Sequence, residues 1–396
     1  MDKKIIVSGA GCCLVDMLYN DIDFKSQNMA PFISKKRGDG GLAPGNLVFT
    51  EEFEKFAGIP VSQALEKITG GKKHDKINIG GPSIVSLINI TQLVDINQCE
   101  VRYFGVGGND EMGRFLIEAL GRTKVRLRNY KLIDRSTPYT IVLSDPLFED
   151  GHGERMFINS IGAAWMFGKD DLDEDFFNSH IVVFGGTALV PRLHDDLTIL
   201  LEKAKRNGCI TVVNTVFDFR SEKADPSGRW FLGKDDDSFR FIDLLITDRE
   251  EALRLSGEST IEGAVEFFIN RKVSSFLITN GSKNITLFSD GRFFGRTGKT
   301  ELPASARVMN ELLSFQGGDT TGCGDNFAGG VIASIVNQMN NNSLHPDIKE
   351  ACSWGIVSGG YTCFYIGGTY FEGREGEKLS RIKPYYDSYR EQISGG

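Results

Sequence analysis

The chain has 396 residues, 40% of them hydrophobic and 25% charged, proportions that support a large buried core and argue against disorder. The formal net charge is -8, and the basic residues are scattered apart from KKHDK at 72–76, so no concentrated positive surface is offered to nucleic acid. No run approaches the ~20 apolar residues of a membrane span, MDKKIIVSGAG lacks the apolar core of a signal peptide, and seven cysteines without CxxC or Cys/His spacing make neither a disulfide framework nor a zinc site. A cytoplasmic protein in reducing surroundings is expected, with no nucleic acid and no membrane as partner.

KIIVSGAG (4–11) is a continuous apolar run ending in glycine, which predicts a strand buried on both faces. Cys12 and Cys13 continue it as small buried thiols. Residues 17–76 then break the rhythm with loops and short amphipathic pieces. VRYFGVGG (101–108) predicts the next such strand, followed by a helix in DEMGRFLIEALGRT (110–123). A second break covers 130–160, where STPYTIVLSDPLFEDGHGERMFINS (136–160) alternates like an antiparallel hairpin around DGHG (150–153).

Four more buried-strand runs follow: HIVVFGGTAL (180–189), CITVVNTVF (209–217), IDLLITD (242–248) and SSFLITNG (274–281). Helical patterns at 194–208 and 249–257 separate them. This alternation predicts an α/β fold, a mostly parallel central sheet with helices on both faces, forming one domain over 1–396 with its ligand site at the C-terminal strand ends. The two irregular segments follow strands that feed that cleft, so they are expected to form a small β-rich lid. From about Glu372 the chain is charged and tyrosine-rich, as in a surface helix.

GGDTTGCGDNFAGG (317–330) places two aspartates and two threonines among six glycines before an apolar helical pattern. A glycine-lined helix start presents unpaired N–H groups and the positive end of the helix dipole, which suits a phosphate or a developing anion. Asp325 beside it has two readings that spacing alone leaves open: a helix cap, or a general base that takes a proton from a hydroxyl while the amides hold phosphoryl charge.

D-T-T-G-C-G-D-x-F-x-G-G resembles the second signature of the PfkB, or ribokinase-like, carbohydrate kinases. Similar pieces follow the family order along nearly the whole chain: GAGCCLVDML with Asp16, INIGGPS with Gly80 and Gly81, and FGVGGNDEMG with Gly105, Gly107, Asp110 and Gly113. LLITDREEA has Asp248 where the family has Asn and retains Glu251, and FLITNGSKN carries Thr279 and Gly281.

The resemblance implies an ATP-dependent phosphotransferase acting on a hydroxymethyl group of a sugar or sugar derivative, with a nucleoside as the nearest variant of acceptor. Asp325 would be the base and the amides of Gly322, Cys323 and Gly324 the anion hole. Asp16, Gly80 and Gly81 would meet the substrate. Asp248, Thr279, Gly281 and Thr320 would lie along ATP, and Glu251 would organise the water shell of Mg2+. Asp319 would order the loop near the monovalent cation, K+, that many relatives bind, and residues 353–368 would wall the adenine. A homodimer through the lid is frequent among relatives.

Three departures bear on the substrate and nucleotide: Val85 and Ala164 stand where the family usually has asparagines, and Asn284 replaces a glycine. A substrate unlike ribose, held by side chains such as Glu154, Arg155 or Asn214, follows as an expectation. Two rival classes stand against this reading. A turnover-deficient binding protein on the same fold would have no use for Asp325, and a dinucleotide oxidoreductase would need a third glycine where VSGAGCCL has Leu14.

Overall fold

A computed structural model describes residues 4–148, 153–315 and 317–395. Asp150–His152 of the proposed DGHG turn, and Met1–Lys3 of the N-terminal stretch, lie outside the described residues.

Nine strands form the larger sheet: β1 (Ile5–Gly11), β5 (Cys99–Gly108), β6 (Arg126–Ile133), β9 (Ile181–Gly185), β10 (Ile210–Asn214), β11 (Leu244–Asp248), β12 (Ser275–Thr279), β13 (Ile285–Ser289) and β14 (Thr297–Leu302). Their order is β14-β13-β12-β11-β10-β9-β1-β5-β6. All neighbours are parallel from β12 through to β6, and β13 and β14 add an antiparallel edge. The α/β class and mostly parallel sheet follow from the unbroken apolar runs, since a strand covered by helices on both faces needs no polar side. Val183, Val212, Leu245 and Leu277 are all fully buried.

Five strands form the second sheet: β2 (Leu14–Tyr19), β3 (Leu47–Phe49), β4 (Lys76–Gly80), β7 (Tyr139–Asp145) and β8 (Glu154–Ser160), in the order β3-β8-β7-β2-β4. β7 and β8 pair antiparallel from Tyr139↔Ser160 to Asp145↔Glu154, as the alternation predicts. Three details differ from the sequence reading. The run through Cys12 and Cys13 is two strands in two sheets, because the chain leaves the large sheet after Gly11 and enters the small one at Leu14. Residues 126–133, which include the start of the proposed second lid segment, pair with β5 in the large sheet. Similarly, the 180–189 run stops as a strand at Gly185 and finishes in a single turn, Thr187–Leu189.

The glycine-rich FGVGGNDEMG segment joins the two sheets. Asp110 caps the helix Glu111–Leu120 through the Gly113 amide (2.8 Å), and its carboxylate also accepts the amide (2.7 Å) and hydroxyl (2.5 Å) of Thr137, just ahead of β7. The tyrosine-rich end forms a helix, Glu377–Ser394, whose inner face buries Ile382 and Tyr389.

Candidate active site

At the C-terminal ends of the central strands, Gly11 of β1 lies beside Gly185 of β9, which lies beside Asn214 of β10. The helix Cys323–Asn340 starts against this edge, with Gly322 as its N-cap at φ 75°. No other residue fits there: the conformation is left-handed, and a Cβ would lie 2.4 Å from Gly368 Cα. At Gly324 a Cβ would meet nothing within 4 Å, so the first turn opens onto free space. Of the three amides implied for an anion hole, that of Cys323 donates to Thr320 O at 3.2 Å, so among the described residues the open ones are those of Gly322 and Gly324.

Asp325 is the third residue of this helix, and the cap is the backbone of Gly322, so Asp325 is not spent as a capping residue. Burial pushes its carboxyl up to about 6, opposed by the Asn214 amide and the Arg155 guanidinium. Asp16, within β2 and only 6% exposed, is driven well above the ordinary carboxylate range by burial and then by the charges of Asp325 and Asp319, with Arg155 again opposing. The three aspartates therefore share one electrostatic environment, although one comes from a strand of the second sheet, one from a loop and one from a helix start. The double glycine belongs to it too, since a Cβ on Gly80 would lie 2.0 Å from Asp16 Oδ2. Gly81 caps the helix Pro82–Leu93 that follows.

Asp319 orders the loop directly, as its carboxylate accepts the amides of Thr321 (2.8 Å) and Gly367 (3.2 Å). Thr320 is exposed beside it. Arg155, from β8, faces this cluster from the second sheet, and its buried Nε has no hydrogen-bond partner among the described residues. Asn214 Nδ2 is buried as well, and the group it faces is the Asp325 carboxylate. A buried guanidinium edge without a partner, beside three carboxylates, is a donor suited to the oxygens of an anion. Glu154 turns back to its own strand, accepting the Arg155 amide at 2.8 Å.

The segment implied for the nucleotide is built differently. Asp248, ending β11, pairs in register with Thr279, ending β12, and Gly281 turns beyond it. Asp248 and Glu251 form a capping box on the helix Arg249–Ser256, Asp248 accepting the Glu251 amide at 2.8 Å. Glu251 is buried and accepts from the hydroxyls of Thr215 and Thr247 and from the Asp248 amide. All three bonds end on Oε2, which leaves Oε1 for a solvent molecule. Burial and the neighbouring Asp248 raise the Glu251 carboxyl well above its usual range. Among the described residues no group of three His, Cys, Asp or Glu is placed to hold a metal ion.

Two departures noted in the sequence fall in the core. Val85 is 2% exposed and packs toward Gly368, and Ala164 is 4% exposed in the turn Gly162–Met166. Asn284 bonds Glu301 at 3.0 Å on the adjoining surface. Residues that sequence reading passed over include Thr215, Asn326 and Asn78, the last carrying the 366–369 segment through Thr369 O (3.2 Å). Their signals are weak, being single polar residues inside apolar or glycine-rich runs.

The model of the pfkB family carbohydrate kinases matches residues 59–371. Among solved structures, the chain is similar to adenosine kinase from Sinorhizobium meliloti, with 17% identity, a TM-score of 0.69, and 96% of this chain and 100% of that one covered. Ribokinase from Giardia lamblia gives 16%, 0.66, and 96% and 100%. An E. coli chain described as a Ribokinase II, in complex with ATP and Mg2+, gives 16%, 0.62, and 97% and 99%. At these identities the neighbours establish a ribokinase-like fold, while the family match spans most of the chain and contains both Gly80–Gly81 and the Asp319–Asp325 loop. This chain belongs to the pfkB family of carbohydrate kinases.

Proposed function

We propose that the protein transfers the γ-phosphoryl group of ATP to a hydroxymethyl group of a sugar or sugar derivative, with Asp325 as base. The observation that carries this reading is Asp325 itself: uncapped at a glycine-started helix, beside open amides, with a carboxyl held at about 6. A base needs an affinity for protons near the working pH, and this one would be ionised at neutral pH yet able to accept the hydroxyl proton as that oxygen attacks. The amides of Gly322 and Gly324, together with Arg155, would take up charge on the phosphoryl group in flight. Asp16 would accept hydrogen bonds from acceptor hydroxyls, and Gly80 serves it by leaving room for its carboxylate. ATP supplies the phosphoryl group and Mg2+ screens its charge.

On the nucleotide side, Asp248, Thr279, Gly281 and Thr320 would line the ATP, and Glu251 Oε1 would receive a water of the magnesium shell. Asp319 is engaged with two amides, so its part would be to hold the loop, near which K+ would bind. The second sheet would act as a lid that brings Asp16 and Arg155 to the cleft and keeps water from the phosphoryl group. Incubating the purified chain with ATP, Mg2+ and a panel of sugars, sugar phosphates and nucleosides tests the reading. Phosphorylation confined to nucleosides would move the acceptor class, and ATP binding with no transfer to any acceptor would replace the kinase by a binding protein.

A further inference from the structure

Asn326, next to Asp325, is 1% exposed and bonded on every side. Its Nδ2 donates to Gly322 O (2.9 Å) and Gly368 O (2.8 Å), and its main-chain oxygen accepts from Asn89 Nδ2 at 2.7 Å. With the amide nitrogen required between two carbonyls, Oδ1 must point away and needs a donor of its own. The nearer donor comes from the other end of the chain, Lys378 Nζ at 2.7 Å, while the Tyr365 hydroxyl reaches the same oxygen only at 3.5 Å.

Lys378 is the second residue of the helix Glu377–Ser394 and has no solvent exposure. Its ammonium sits 5.8 Å from the Tyr365 ring centroid and 5.9 Å from that of Tyr370, and its backbone amide donates to Glu372 at 2.8 Å. Burying an ammonium without a carboxylate in contact is costly, and burial drives the Lys378 amine down to about 7 although Glu372, the aromatic faces and the hydrogen bond to Asn326 offset part of the cost. A leucine or methionine would fasten the helix to the core more cheaply. What the ammonium adds is a fixed orientation for the Asn326 amide, and with it a fixed distance between Gly322 and Gly368.

We propose that Lys378 is a positioning residue for phosphoryl transfer: through Asn326 it clamps Gly322 to Gly368 and so aims the amides beside Asp325. This rests on the reading of those amides as the anion hole. Lys378→Met keeps the apolar stem and removes the donor. In the ligand-free full-length protein, deuterium uptake in the peptides covering 317–327 and 363–370 should become at least ~10-fold faster. Binding of MgADP with aluminium fluoride, a mimic of the phosphoryl group in transfer, should weaken at least ~10-fold, while MgADP alone changes less than ~3-fold. Asn326→Asp keeps a partner for Lys378 but loses both donors to the glycine carbonyls, so it should reproduce both effects with the fold retained, even if Lys378→Met proves unstable. Unchanged exchange in either folded variant, or equal weakening of MgADP and its fluoride complex, overturns the clamp. A parent protein that binds no MgADP overturns the kinase reading instead, and the exchange comparison still decides whether the clamp exists.

Discussion

At the start of the Cys323–Asn340 helix, Asp325 leaves capping to a glycine and stands beside Asn214 and Arg155, whose buried Nε has no partner among the described residues. At the start of the Arg249–Ser256 helix, Asp248 and Glu251 cap one another, and two threonine hydroxyls add to the same Glu251 oxygen. Both are acidic helix starts at C-terminal strand ends, yet one stores unmet polar demand and the other satisfies its own. A site that must bind charge appearing only during reaction has to leave its donors waiting, whereas a site that orders a nucleotide can be finished in advance.

Asp325→Asn is the most severe way to break the comparison. If Asp325 is the base, its loss should lower kcat by about 10²–10⁴-fold with the acceptor KM little changed. The parent enzyme's rate should climb with pH through about 6, as Asp325 ionises. Stability should move the other way. Folding raises this carboxyl above its usual range, so the stability it contributes is present at low pH and is lost as pH rises through about 6. The asparagine variant should therefore unfold at higher temperature than the parent at pH 8, by up to roughly 3 kcal/mol of stability, and match it near pH 4. A variant less stable at pH 8 would mean that the ionised carboxylate is held by partners.

Arg155→Met comes next. It removes a cation that acts on Asp16, Asp319 and Asp325 alike, so a loss of about 10²-fold in kcat is expected from lost charge stabilisation. It should also shift the midpoint of the pH–rate profile upward, because Arg155 now favours the charged form of Asp325. A lower rate with an unmoved midpoint would place Arg155 outside the Asp325 environment.

How far these two regions were legible beforehand differs for a physical reason. The glycine loop announces itself because a left-handed Gly322 and an open Gly324 leave a spacing in the sequence. Buried strands were readable from their apolar runs, but the transfer of the chain between sheets at Cys12–Cys13 was not, since residues on both sides of the crossing are equally buried. β6 escaped because RLRNYKLI alternates charge and apolar side chains, the pattern of a half-exposed edge, and so looked like lid. Arg155 could be suspected as an unusual side chain near the cleft, but its lack of a partner is a property of the assembled fold. Lys378 was invisible: it lies in a charged, tyrosine-rich run that predicts exposure, and its partner is 52 residues away.

On the finished side of the comparison, Glu251→Gln should cost less, about 10-fold in kcat, with more Mg2+ needed for half-maximal rate. Glutamine fills the same space and keeps an oxygen for Thr215, but it cannot present a second acceptor to a metal-bound water. Since burial and Asp248 already disfavour the Glu251 charge, the variant's melting temperature at pH 8 should equal or exceed the parent's. Unchanged Mg2+ dependence would reduce Glu251 to a helix cap.

Cys323→Ala should do least, changing kcat by less than about 3-fold. The thiol packs 3.5 Å from Cys363 Sγ, away from the open amides, and the Cys323 N–H is engaged with Thr320 O whatever side chain it carries. Losing one sulfur leaves a small gap worth about 1 kcal/mol at most in a partly exposed position. This mild change bears on the central contrast because it separates backbone from side chain within the loop. If the waiting donors are main-chain amides, their direction is set by Gly322 and by the Asn326 clamp, and a methyl group in place of the thiol leaves both untouched. A large loss of kcat with intact MgADP binding would instead make the sulfur part of the chemistry, and the division between an unfinished and a finished helix start would have to be redrawn around a side chain.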